Sequence, residues 1–212
     1  VDGVVYSGDN TVLVEYPAGK AATEYSLLSG TKEVGNSAFY GAWNLKTVSL
    51  PQGVETVGEY AFYDCKNVTS YSLSETLTAI ERYAFAKNSS LGYISVPDNV
   101  VQISNYAFAY DHNLNTIYFS ETSKLPRISY AAFAYTGIYS MRIPANVSTV
   151  AQNAFTGCDN LNYVSFAANS KLDIVPAYMF SGAKNINGIT FESGSSLTNI
   201  ASHGFEGMRR LT

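Results

Sequence analysis

The sequence predicts a right-handed solenoid of about eight coils, with a parallel β-sheet along one side and a β-hairpin before the first coil. Three observations carry this prediction. Phenylalanine recurs at Phe39, Phe62, Phe85, Phe108, Phe133, Phe155, Phe180 and Phe205, with spacings of 23, 23, 23, 25, 22, 25 and 25 residues. Other apolar residues keep step with it: Val34, Val57, Ile80, Ile103, Ile128, Val150, Val175 and Ile200 each stand five residues before a repeat Phe. The spacing changes fall only in connections, while the apolar ladders stay in register. A chain whose coils contact only their neighbours behaves in this way.

The elements follow in chain order. Residues 1–30 begin with "VVYS" and "TVLVEY" around the turn "SGDNT", which reads as a hairpin capping the first coil. Residues 31–212 hold the repeats. In each, the Ala-Phe step is read as a short 3₁₀ or α turn that stacks its Phe inside, with a small residue before it to let the turn approach the core. Alanine fills that place in six of eight repeats, and Met179 and Gly204 fill the others. Just before each strand stand Asn44, Asn67, Ser90, Asn113, Gly137, Asn160 and Asn185. Asn and Gly there suggest a position that tolerates positive φ.

Strands follow near residues 46–50, 69–73, 92–96, 115–119, 139–143, 162–166 and 187–191, where apolar residues alternate with polar ones. Pro51, Pro97 and Pro144 come directly after strands, since proline cannot continue a ladder. A shorter second ladder is expected at Val57, Ile80 and Ile103. After Phe205 the chain reaches Leu211 and Thr212 before another strand is made, which reads as a repeat array truncated at its C-terminus.

Composition narrows the function. The 212 residues are 46% hydrophobic and 14% charged, so a sizeable core can be buried and disorder is not expected. The net charge is −4, and the thirteen Lys and Arg are scattered, with only Arg209 and Arg210 adjacent. Without a basic stripe, nucleic acid is not an expected partner. No apolar run is long enough to cross a membrane.

The sequence shows no catalytic or metal constellation, and no enzyme, cofactor or metal is expected. Cys65 and Cys158 stand four coils apart, about 20 Å along the stack, too far for a disulfide. They are read as buried free thiols. His112 and His203 lie in different coils with no ligand partners at zinc spacing. Glu33, Glu55 and Glu81 are read as solvent-facing.

Alternation places Thr47, Ser49, Ser70, Ser72, Tyr93, Ser95, Thr116, Tyr118, Ser140, Arg142, Tyr163, Ser165, Gly188 and Thr190 on the outward face of the strands. Among these, Tyr93, Tyr118, Arg142 and Tyr163 form the candidate ligand-binding patch, because Tyr and Arg are enriched at binding hot spots. The competing reading is that Ser, Thr and Tyr simply suit exposed strands. Trp43 occupies a place where other coils are polar. It is expected at the outer turn, either under the hairpin, the favoured placement, or as an exposed contact.

Ladders of Leu, Val and Ile at this period read as leucine-rich repeats. The finer pattern resembles the BspA-like, or Treponema-type, leucine-rich repeat family. "LKTVSLPQGVETVGEYAFYDCKNV", residues 45–68, matches that family's Leu-x-x-Ile-x-Leu-Pro and Leu-x-x-Ile-Gly-x-x-Ala-Phe-x-x-Cys-x-x-Leu almost position for position. The resemblance covers residues 31–212, and residues 1–20 look like a hairpin segment of bacterial members. Cys65 and Cys158 fall on the family's Cys position. The resemblance implies a non-catalytic, secreted or surface-anchored bacterial protein that adheres to host or extracellular-matrix proteins, or to a glycan. Two alternatives stand beside it: a structural spacer presenting another domain, and a carbohydrate-active enzyme on a β-solenoid. The enzyme would need clustered carboxylates, and the outward strand positions carry none.

Overall fold

A computed structural model describes residues 3–210 of the chain. Leu211 and Thr212, where the sequence reading has the array break off, lie outside them. The chain opens as an antiparallel hairpin of β1 (Val5–Tyr6) and β2 (Val12–Glu15). Asp9 closes its turn: one carboxylate oxygen accepts from Ser7 Oγ, Thr11 N and Thr11 Oγ1. Those donors hold the Asp9 carboxyl down to about 2.

The rest is a parallel-strand solenoid of about eight turns without a helix among the described residues. One strand of each coil lies on the main-sheet face: β3 (Glu24–Ser26), β5 (Thr47–Ser49), β7 (Ser70–Ser72), β9 (Tyr93–Val96), β11 (Thr116–Phe119), β13 (Ser140–Ile143), β15 (Tyr163–Phe166) and β17 (Gly188–Phe191), hydrogen-bonded as three segments, β3–β5–β7, β9–β11 and β13–β15–β17. The second, shorter strand belongs to a side ladder: β4 (Glu33–Val34), β6 (Thr56–Val57), β8 (Ala79–Ile80), β10 (Gln102–Ile103), β12 (Arg127–Ile128), β14 (Thr149–Val150), β16 (Ile174–Val175) and β18 (Asn199–Ile200).

All pairings between coils are parallel, and β2 leaves the hairpin to pair in parallel with β4. The seven strands expected from sequence appear within a residue or so of their expected bounds. β3, inside residues 1–30, pairs in parallel with β5, so the main sheet already begins within that span.

The Ala-Phe step is a single i→i+3 turn in each coil, of the short 3₁₀ type expected from the sequence, as where Tyr63 N donates to Tyr60 O at 3.1 Å, and it does not extend into a helix. The residue two before each Phe and the residue two after it have positive φ, as at Tyr60 (56°) and Asp64 (58°), or Tyr83 (57°) and Lys87 (64°). Left-handed residues on both sides stop a helix from propagating. They also turn alternate amides along the solenoid axis. Tyr60, Phe62 and Asp64 donate to the carbonyls of Arg82, Ala84 and Ala86 at 3.0, 2.7 and 3.0 Å. This third ladder satisfies the backbone of a segment that is buried at its centre. A left-handed conformation costs roughly 1–2 kcal/mol per non-glycine residue. The amide bond and the stacking of the repeated Phe offset that cost.

Inside, the repeat Phe rings form one column. Successive centroids from Phe39 to Phe180 are 4.8 to 5.6 Å apart, and the rings are near parallel. Phe205 continues the column at 6.2 Å. Tyr16 precedes it as a further rung, stacked 4.9 Å from Phe39, and its amide donates to Ala38 O at 2.7 Å as Phe39 does to Ala61 O. The alanines beside the Phe rungs are buried, so the turns press directly on the column.

The pre-strand asparagines correct another expectation. Neither Asn44, Asn67, Asn113 and Asn185 nor Gly137 has positive φ. Their amides instead reach back one coil. Asn67 Nδ2 donates to Trp43 O, Asn113 Nδ2 to Ser89 O and Asn185 Nδ2 to Asp159 O, each at 2.6 Å. Asparagine recurs there because its side chain spans the gap between coils and satisfies a carbonyl that no strand pairs.

Candidate functional site

The main sheet carries the sequence-predicted patch. In its register Tyr93 lies beside Thr116, Ser95 beside Tyr118, Ser140 beside Tyr163, and Arg142 beside Ser165. Two columns therefore run along the face. Tyr93 and Thr116 stand in one column on β9 and β11, and Ser140 and Tyr163 continue it on β13 and β15, across a break in the ladder bridged by Tyr139 N to Asn115 O at 3.1 Å. Tyr118 and Arg142 stand on successive rungs of the other. Tyr93, Tyr118 and Tyr163 are 53, 51 and 49% exposed. Strand alternation forces this outcome, because the intervening Ile94, Ile117, Met141 and Val164 are buried in the core.

The sequence did not reveal how Arg142 is held. Its Nε and one terminal nitrogen both donate to Glu192 at 2.9 Å, and the other terminal nitrogen lies 3.0 Å from Glu121. Glu192 also accepts from Ala168 N at 3.0 Å. The hydrogen bonds from Arg142 hold the Glu192 carboxyl below the usual carboxylate range. Arg142 is thus a positioned cation with paired carboxylates, one from the preceding coil and one from two coils further on. Tyr139 is a further exposed residue that alternation missed. It is 53% exposed, and its ring packs edge-on to Tyr163 at 5.9 Å. It stands just before β13, outside the alternating pair that the sequence rule selects.

Trp43 is 47% exposed and also rests on the N-terminal segment: a Cβ at Gly19 would lie 3.6 Å from its ring. It is partly covered and partly free. Cys65 and Cys158 are buried free thiols that donate to Phe39 O and Phe133 O at 3.0 and 3.1 Å. His203 stacks on Tyr178 at 4.9 Å, and His112 is exposed in another coil. Glu81 accepts from Gln102 and Ser104, and Glu55 faces Lys32 at 3.4 Å. Among the described residues, no group of three or more His, Cys, Asp or Glu could hold a metal ion.

A second aromatic surface lies over the Ala-Phe turns. Tyr60, Tyr83 and Tyr106 stack in parallel at 4.9 and 4.7 Å, and Tyr110 stacks on Tyr135 at 5.2 Å. The Arg82 guanidinium lies over Tyr60 and Tyr83, and Lys87 Nζ over Tyr63. Tyr60, Tyr83, Tyr106, Tyr110 and Tyr135 occupy left-handed positions beside their coil's Phe, which sequence periodicity alone does not mark as a surface.

Stacked parallel strands, a buried aromatic column and a side ladder closing each coil define a leucine-rich-repeat solenoid. The chain belongs to the BspA type leucine-rich repeat family, whose sequence model matches residues 18–126 and 126–212 in six copies. Its fold is similar to that of the T. pallidum leucine-rich repeat protein, at 22% identity and a TM-score of 0.63, covering 99% of this chain and 87% of that one. It is also similar to a leucine-rich repeat protein of Bacteroides ovatus, at 18% identity and a TM-score of 0.51, covering 100% and 73%. Among curated proteins, no relative matches the sequence. The family defines a repeat module for protein interaction or for structure and points to a non-catalytic protein. No helix among the described residues is long and apolar enough to cross a membrane.

Proposed function

We propose that this chain is a non-catalytic interaction module acting outside the cell or at its surface, and that its main-sheet face adheres to a host or matrix protein. One observation carries the reading. Tyr93, Tyr118 and Tyr163 on the parallel strands, and Tyr139 just before β13, stand about half exposed on one face with an arginine fixed by two carboxylates. Large rings held in place lose little entropy on binding, and Tyr and Arg dominate binding hot spots.

The test is a protein and glycan array probed with the folded chain and with a variant carrying Tyr93→Ser, Tyr118→Ser, Arg142→Ser and Tyr163→Ser. Captured signals should fall at least about tenfold in the variant, a loss of 1.4 kcal/mol or more, while the circular-dichroism melt stays cooperative. Undiminished capture by the variant would remove the patch as the site. Absence of any capture by the parent chain would favour the spacer role.

A further inference from the structure

We propose that the tyrosine-walled groove over the Ala-Phe turns binds an uncharged, proline-rich segment of a partner protein in the polyproline II conformation. The inference stands on a different surface from the main-sheet reading and does not depend on it.

The groove arises where the repeat changes residue. The position after the repeat Phe holds Tyr40 and Tyr63 in the first two coils, then Ala86, Ala109 and Ala134. Those alanines are buried. With the large rings gone, the space between the two tyrosine columns opens. Ala131 also stands where Tyr60, Tyr83 and Tyr106 stand in earlier coils, and Tyr130 turns 74° to Tyr106 beside it. The result is a shallow cavity of about 270 Å³. Tyr106 and Tyr130 form one wall and Tyr110 and Tyr135 the other, with Ala131 and Ala134 as floor. Asn153 and Thr156 close one end. The wall is firmly seated: a Cβ on Gly157 would lie 2.4 Å from the Tyr135 ring, so that ring rests on the next coil's backbone.

The chemistry of the lining selects the occupant. Tyr110 and Tyr135 are parallel within 5° at 5.2 Å, and Tyr83 and Tyr106 within 2° at 4.7 Å. The normals of Tyr106, Tyr110 and Tyr135 therefore run along the solenoid axis, and these three rings present edges and phenol hydroxyls to the groove, while Tyr130 lies across them. Ring edges carry the positive end of the aromatic quadrupole, and hydroxyls donate. No Asp, Glu, Lys, Arg or His lines the cavity. Asn153 Nδ2 donates to the Tyr130 hydroxyl at 3.3 Å, and Thr156 donates to Asn153 Oδ1 at 3.0 Å.

The electrostatic complement is a ligand with free carbonyls, few N–H groups and apolar contours. A polyproline II helix has no internal hydrogen bonds, and proline has no N–H. The period also matches. Two solenoid rungs span about 10 Å, and one three-residue turn of polyproline II spans about 9.3 Å. One turn of such a segment therefore reaches from Tyr106 and Tyr110 to Asn153 and Thr156, two coils on.

Amide chemical-shift titration of the chain with blocked decaproline tests this. Saturable shifts are expected at Ala109, Ala131, Ala134, Asn153 and Thr156, and an equally long Gly-Ser peptide should cause none. Ala134→Tyr fills the groove as Tyr63 does three coils earlier, and should weaken binding by about tenfold or more. The double variant Tyr110→Phe/Tyr135→Phe keeps both rings, removes both donors, and should weaken it several-fold. The proposal is overturned by no saturable shift at millimolar peptide, by equal response to the Gly-Ser peptide, by shifts confined to the main-sheet face, by shifts with a neutral oligosaccharide in place of decaproline, or by unchanged affinity in both variants.

Discussion

The backbone N–H of Asn88 donates to Oδ1 of Asp111 at 2.7 Å, inside the core and one coil away. Asp111 is fully buried, and among the described residues its Oδ2 has no hydrogen-bond partner. It stands three residues after its Phe, where neighbouring coils place donors. Cys65 donates to Phe39 O, Asn88 Nδ2 to Phe62 O at 3.0 Å, and Cys158 to Phe133 O. Tyr71 completes the cluster by donating to Asn88 Oδ1 at 2.8 Å. A column of donors has received an acceptor.

That mismatch gives a signed prediction. Burial pushes the Asp111 carboxyl well above its ordinary 3.8, and the hydrogen bonds from Asn88 and Lys87 oppose this only in part. Burial also raises the Tyr71 phenol and the Cys65 thiol, so these neighbours stay neutral beside it. The folded chain therefore holds a proton that the unfolded chain releases above about pH 4. The contribution from Asp111 is fully present below that pH and is lost as pH rises through the folded value. Asp111→Asn supplies the amide that Asn88 shows to fit. It should raise the midpoint of thermal unfolding at pH 7, with the gain shrinking towards pH 4. A variant no more stable than the parent at pH 7 would contradict the account.

The two thiols should be inert in the native state. Burial pushes Cys158 up to about 11 and Cys65 up to about 12, and both lie in the apolar stack. Only the thiolate attacks a disulfide reagent. Reaction with Ellman's reagent at pH 8 should proceed at the rate of unfolding, independent of reagent concentration. The linkage also has a sign. The unfolded thiols ionise near 9, so stability from these groups is lost as pH rises from there through 11 to 12.

How much of this was legible varies with the physics. The Phe column, both strand ladders and the outward strand residues follow from period and alternation, and Phe62, Val57 and Tyr93 lie where those rules put them. The left-handed backbone flanking the Ala-Phe pair was only partly legible: Gly41, Gly157, Gly182 and Gly207, each two residues after its Phe, mark it, but Tyr60, Tyr83 and Lys87 are not residues that announce such a conformation. Asn67 and Asn113 were visible as a column but not as donors across coils. The Arg142 clasp joins residues fifty positions apart, and that choice of partner depends on side-chain reach that no periodicity encodes.

Tyr16 shows what a spacing search anchored on Ala-Phe overlooks. It stands 23 residues before Phe39, one full period, yet Glu15 precedes it. Its ring caps the aromatic column, and its hydroxyl is buried without a partner among the described residues. Tyr16→Phe keeps the ring and removes the unsatisfied group, and should stabilise by about 1–2 kcal/mol. Tyr16→Ala should instead cost about 3–5 kcal/mol, similar to Phe85→Ala within the column. Urea unfolding of the three variants checks both signs, and a destabilised Tyr16→Phe would mean that the hydroxyl has an essential partner.

Gly137 offers the sharpest steric test. It takes the place that asparagine fills in other coils, within the one repeat of 22 residues. Its φ is not in the left-handed region, so backbone freedom is not what selects glycine. Close approach is. A Cβ there would sit 2.2 Å from the carbonyl oxygen of His112 and 3.0 Å from its carbon. Both are backbone atoms of the adjacent coil and cannot swing aside as a side chain could. The shortened connection draws Gly137 inward, where its amide donates to Asp111 O at 3.2 Å. Gly137→Ala must push two coils apart or break that bond. It should cost about 3 kcal/mol or more, at the upper end for overpacking. Gly92, whose nearest neighbours would lie 4.0 Å from a Cβ, is the control, and Gly92→Ala should stay within about 1 kcal/mol of the parent. Equal losses in the two variants would show that chain freedom rather than close approach selects glycine at 137.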